Sequence, residues 1–111
     1  MSKEQTIYMN RARFSLGDKV NHTLYDYRGI ILDVDPQYQN DDEWYEAVAT
    51  SRPAKDQPWY MVLVHGTEQM TYVAEQNLEL DSSDEEIEHP VLPLCFKKNE
   101  KGQYQRRQII Q

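Results

Sequence analysis

The sequence is poor in the residues that many small proteins use as fixed points. One cysteine, Cys95, occurs among 111 residues, which excludes an internal disulfide framework and an all-cysteine zinc cage. A chain without disulfides is expected in a reducing compartment, the cytoplasm. Glycine is scarce, at four residues, and forms no phosphate-cradling loop. The three histidines, His22, His65 and His89, are far apart and lack the paired spacing of a zinc motif. No run approaches the ~20 apolar residues of a membrane-spanning helix. Met1-Ser2-Lys3-Glu4 opens a polar stretch rather than a signal-peptide core, so neither membrane insertion nor secretion is expected.

Catalytic patterns are missing too: there is no nucleophile elbow and no Cys-x-x-Cys. Asp33 and Asp35 could be read as a carboxylate pair, but strand-end aspartates more often satisfy turn amides. Cys95, beside Leu94, Phe96 and the basic Lys97, fits a small buried hydrophobe better than a nucleophile. The chain is therefore expected not to be an enzyme. No catalytic, metal-ligating or cofactor-binding residue is assigned, and no cofactor is expected.

What is present is charge, unevenly placed, and aromatic residues. Hydrophobic residues make up 39% and charged residues 28%, which fits one modest domain with a polar periphery. Residues 1–32 hold five Lys/Arg against three Asp/Glu, residues 33–90 two against fifteen, and residues 91–111 five against one, within a net charge of -7. The acidic middle repels a polyanion, so any nucleic-acid face must come from the two basic ends. Its candidates are Arg11, Arg13, Lys19 and Arg28 at one end, and Lys97, Lys98, Lys101, Arg106 and Arg107 at the other.

The periods in the chain are mostly those of strands. Residues 1–13 read as a polar arm with scattered Ile7, Tyr8 and Met9. Strands are predicted at Lys19–His22, Tyr27–Asp35, Trp59–His65, Gln69–Val73 and Leu78–Leu80, with one tight helical turn at Ala74–Asn77. In the second strand Ile30, Leu32 and Val34 alternate onto one face, and Gly29 suggests a bulge or sharp coil. A short helix is predicted over Asp42–Ala49, capped by Asn40 or Asp41, with an apolar face of Trp44, Ala47 and Val48. The expected core is Val20, Ile30, Leu32, Val34, Tyr60, Val62, Val64, Val73 and Leu78, with Trp59 on the opposite face from Tyr60.

Five short strands and one helix suggest a small closed antiparallel barrel over residues 14–80. Residues 81–111 form an acidic, solvated linker followed by a basic extension. In the extension Val91, Leu92, Leu94 and Phe96 pack back on the barrel. Trp59, Tyr60 and Tyr72 sit among β-branched neighbours and are expected to pack in the sheet. Tyr25, Asp26 and Tyr27 fall in a loop outside the alternating pattern and are the candidates for a protein-docking surface.

Four stretches, in order, resemble one family. They are Val20-Asn21-His22-Thr23-Leu24-Tyr25-Asp26-Tyr27-Arg28-Gly29 with Asp33-Val34-Asp35-Pro36, then Arg52-Pro53-Ala54-Lys55-Asp56-Gln57-Pro58-Trp59-Tyr60, then Tyr72-Val73-Ala74-Glu75-Gln76-Asn77-Leu78. The fourth is His89-Pro90 with Phe96, Gly102-Gln103-Tyr104 and Arg107. Together these resemble the HspQ family, also called YccV-like or hemimethylated-DNA-binding domain proteins. The resemblance implies an SH3-like barrel without catalysis in a bacterial cytoplasmic protein. It implies a heat-shock factor that promotes degradation of denatured or regulatory proteins, such as the replication initiator, or alternatively a binder of hemimethylated DNA. The implied partners are a protease or its clients, or duplex DNA, with no membrane. A homo-oligomer is compatible with either.

Overall fold

A computed structural model describes residues 12–48 and 52–107. Ile7, Tyr8, Met9 and Arg11 of the arm, and the end of the helix from Ala49, lie outside the described residues. Seven strands occur among those described: β1 Lys19–His22, β2 Arg28–Asp35, β3 Trp59–Val64, β4 Met70–Ala74, β5 Leu78–Leu80, β6 Phe96–Lys98 and β7 Tyr104–Arg106. Two short helices accompany them, α1 Asp42–Val48 and α2 Leu92–Cys95, with a 3-10 turn at Glu75–Asn77.

The first five strands form one antiparallel sheet in the order β4-β3-β2-β1-β5. The closed barrel expected from the sequence is not formed. β4 and β5 are the two edges, and the 3-10 turn between them carries the chain from one edge to the other instead of pairing them. One face of the sheet packs Phe14, Val20, Ile31, Tyr60, Val62, Val73 and Leu78 into a core. Tyr60 anchors the start of the described chain: its hydroxyl accepts the Arg13 and Phe14 amides and donates to Glu75 Oε2 at 2.6 Å. Burial, then the bond to Glu75, raises its pKa, so the proton stays on the phenol.

The alternation in β2 is not the one expected. Pairing with β3 runs Gly29↔Val64, Ile30↔Leu63 and Ile31↔Val62, then skips to Asp33↔Met61 and Val34↔Tyr60. Leu32 is the extra residue of a bulge, which reverses the faces beyond it. Ile31 and Val34 therefore share the first face, while Ile30 and Leu32 point to the other. Leu32 and Val34 are half-buried rather than core. Gly29 is not the bulge. It lets β3 approach, since a Cβ there would lie 2.4 Å from the Leu63 carbonyl oxygen.

The C-terminal third covers the second face. Ile87, Leu92 and Phe96 pack on Ile30 and Leu63. Leu94, expected to join them, is 74% exposed, because α2 is a single turn that turns only one side to the sheet. The acidic run expected to be solvated is instead a strap. Lys19 Nζ donates to the carbonyls of Ser83 and Glu85, and Arg28 bonds Asp81 at 2.7 Å and the Glu85 carbonyl. Burial alone would raise the Asp81 pKa, but the Arg28 guanidinium and the Ser83 amide outweigh it and hold the carboxyl below its usual value. The β6–β7 hairpin, unforeseen in the sequence, closes the layer. Arg106 Nη1 donates to the Leu32 carbonyl at 2.8 Å, and the Tyr104 carbonyl sits against Gly17, whose φ of 89° suits only glycine.

Candidate functional site

Beside the β4 edge lies an open groove of about 450 Å³. One wall comes from the β1–β2 loop. His22 Nδ1 accepts the amides of Leu24 and Tyr25, both at 3.1 Å, and so bends the loop over the sheet. Those bonds require an unprotonated Nδ1, and burial lowers the His22 pKa in the same direction. The rings of Tyr25 and Tyr27 both lie 4.9 Å from the His22 ring. Tyr27 is half-buried, its hydroxyl 2.6 Å from Thr71 Oγ1 on β4, and burial raises its pKa. Asp26, with φ of 53°, turns the chain between the two tyrosines.

The other wall is an aromatic stack, built from residues whose sequence pattern predicts packing. Trp59 is buried and stacks on Tyr72 at 5.3 Å, and Trp44 meets Tyr72 edge-on at 5.8 Å. Tyr72 donates to Asp35 Oδ2 at 2.6 Å, while Asp33 accepts the Val34 amide, so the two aspartates serve separate structural bonds. The α1 helix brings Trp44 here because Asp41 Oδ1 caps its amide at 2.7 Å. Its buried residue is Tyr45, not Ala47, which is exposed. The Tyr45 hydroxyl is drawn inward by the Pro53 carbonyl, and Val48's side chain lies outside the described residues.

Of the six large hydrophobic side chains exposed among the described residues, Leu24, Tyr25 and Met70 line this one groove. Tyr25, a docking candidate from the sequence, is exposed at this groove, and Tyr27 lines it half-buried. Leu24, Met70, Trp44 and Tyr72 were missed as site residues. Met70 looked like an ordinary strand residue, because its exposure follows from β4 being an edge.

Most of the basic candidates are engaged by groups of the protein itself. Arg11 is outside the described residues. Arg13 lies over the Phe14 ring at 5.0 Å. Lys19 and Arg28 hold the acidic strap, and Lys98 pairs with Glu86 at 2.8 Å. Arg106 and Arg107 bond the Leu32 and Pro93 carbonyls. Lys97 and Lys101 stay exposed, with no ion pair among the described residues. A second cleft, about 550 Å³ between the Gly17–Lys19 turn and the hairpin, mixes Lys19 and Lys98 with Asp18, Asp84 and Glu86 and has no single sign. The remaining histidines accept backbone amides: His65 Nδ1 ties the Glu88 amide of the strap, and His89 Nδ1 accepts that of Val91 in a turn.

Fold and groove define a small, mainly β module with an aromatic surface at its sheet edge. The chain belongs to the YccV-like family, whose model, described as hemimethylated DNA-binding protein YccV like, matches residues 12–103.

Proposed function

We propose that this protein is a non-catalytic adaptor of HspQ type. It docks segments of denatured or regulatory proteins, a replication initiator among them, and promotes their degradation by a cytoplasmic protease during heat stress. In this reading the curled five-stranded sheet is an SH3-like half-barrel whose open edge is the working surface. The observation that carries it is the convergence of Leu24, Tyr25 and Met70 on one groove, since exposed apolar side chains gathered in one place favour a polypeptide partner.

The second reading, recognition of hemimethylated duplex DNA, follows from the description of the family model. DNA affinity needs several side chains free to neutralise phosphates. Here Lys19, Arg28, Lys98, Arg106 and Arg107 already hold the protein's own carbonyls and carboxylates, which supports the protein-docking reading. The test is a salt-titrated binding assay with unmethylated, hemimethylated and fully methylated duplexes, run beside a permanently unfolded, carboxamidomethylated polypeptide. The adaptor reading expects the polypeptide to bind, and Leu24→Ala with Tyr25→Ala to weaken it about tenfold without lowering thermal stability. Tight, salt-resistant preference for hemimethylated duplex, with no polypeptide binding, would overturn it.

A further inference from the structure

Resting on the adaptor reading, we propose that the groove takes its partner as an extended strand that adds to the edge of β4, apolar at alternate positions and flanked by lysine or arginine. The phase of the β3–β4 ladder supplies the backbone half of this site. Val64 donates to the Gln69 carbonyl and Glu75 to the Pro58 carbonyl, and the register between them is unbroken. By alternation, Thr71 and Val73 turn their amides and carbonyls to β3, whereas Met70 and Tyr72 turn theirs outward. β4 ends the sheet, and no strand pairs with that side among the described residues.

The side-chain half is the groove itself, which reaches both faces of β4. Thr71 and its neighbour Tyr27 lie on one face, and Tyr72 with its cross-strand partner Met61 on the other. Successive residues of an added strand point to opposite faces, so every second side chain meets one aromatic wall. Charge selects the partner's flanks. No Lys, Arg, Asp or Glu lines the groove. Asp26 and Glu43, each next to a lining residue, and Glu68, two positions from Met70, are exposed and form no ion pair among the described residues. The same carboxylates oppose a second copy of the chain at this edge, because each would meet its own kind.

The experiment uses fluorescence anisotropy with a nine-residue probe of alternating valine and threonine carrying two lysines at each end. One counterpart has glutamates at the ends, and another has proline at its centre, which removes an amide the ladder needs. At low salt both counterparts should bind about tenfold more weakly than the first probe. The triple variant Asp26→Asn, Glu43→Gln, Glu68→Gln should lose the preference for lysine ends while keeping the loss caused by proline. Equal binding of the proline probe would overturn strand addition, and equal binding of the glutamate probe would overturn the charge selection. If no peptide binds but the unfolded carboxamidomethylated polypeptide does, this proposal falls and the adaptor reading stands. If duplex DNA alone binds, both fall.

Discussion

Gly29→Ala perturbs the sheet at a point where the outcome can be worked from distances. A Cβ at position 29 would lie 2.4 Å from the Leu63 carbonyl oxygen and 2.5 Å from Val62 Cγ1. The first neighbour is backbone in the middle of β3 and cannot rotate away. The second is a methyl of a fully buried side chain. Overpacking of this kind costs about 1–3 kcal/mol. A backbone neighbour places it at the upper end, while alanine returns about 0.5–1 kcal/mol by restricting the unfolded chain. The expected net loss is about 2 kcal/mol, or roughly 10 °C in the melting temperature of a domain this size. Urea unfolding of the single variants and of Gly29→Ala/Val62→Ala separates the two contacts. Val62→Ala removes only the Cγ1 contact, so the coupling should be favourable but below about 1 kcal/mol. A Gly29→Ala protein as stable as the parent would refute the close approach of β2 and β3 at this point, and with it the register through Ile30 and Leu63.

Three further outcomes follow from single contacts. Gly17→Ala, facing the Tyr104 carbonyl, should raise amide hydrogen exchange across β6 and β7 while leaving β2 and β3 protected; uniform loss of protection would show that the hairpin is not a separate layer. Arg28→Ala leaves the Asp81 carboxylate without its partner and should cost about 2 kcal/mol in urea unfolding at neutral pH. Because the Asp81 pKa is lowered by folding, its contribution is present above its ordinary value of 3.8 and is lost as pH falls through the folded value, so parent and variant should converge in acid. His22 behaves in the same sense although it is a base: burial lowers its pKa, so the unfolded chain binds its proton first, and stability should fall as pH drops below about 6.5. His22→Gln should flatten that slope between pH 7 and 5.5, and an unchanged slope would assign it to other groups.

The strands were legible because their signals are local. Lys19–His22 and Leu78–Leu80 form as the sequence suggests, and the tight turn before the last strand is the 3-10 turn Glu75–Asn77. The face of β2 was not, because Ile30, Leu32 and Val34 obey period two while the Leu32 bulge breaks it. The consecutive run Ile30-Ile31-Leu32 held the missing information: such a run suits a strand covered on both faces, and the C-terminal layer provides the second cover. A lone Ile87 among carboxylates was the corresponding hint in the strap, since an apolar residue in an acidic run stands out if the run is truly solvated.

The candidate site divides along the same line. Tyr25 could be singled out because it lies outside every alternating segment, a property visible in sequence. Met70 could not, because whether a strand residue is exposed depends on which strand lies beside it, and the order β4-β3-β2-β1-β5 is settled by distant pairings. Counting charges is uninformative for a related reason. Nine basic residues in the two end segments make a polyanion surface only if they converge, and a count does not show what a side chain already holds. Lys19 and Arg28 are drawn to the strap by Asp81 and by the carbonyls of Ser83 and Glu85, and Lys98 is drawn by Glu86. Basic residues of the two ends thus pair with part of the acidic middle, at residues that do not line the groove. Among the carboxylates that form no ion pair among the described residues, Asp26, Glu43 and Glu68 lie close in sequence to residues of the aromatic walls. Under the proposed strand addition, a basic-flanked partner would meet these acids rather than the summed charge of whole segments.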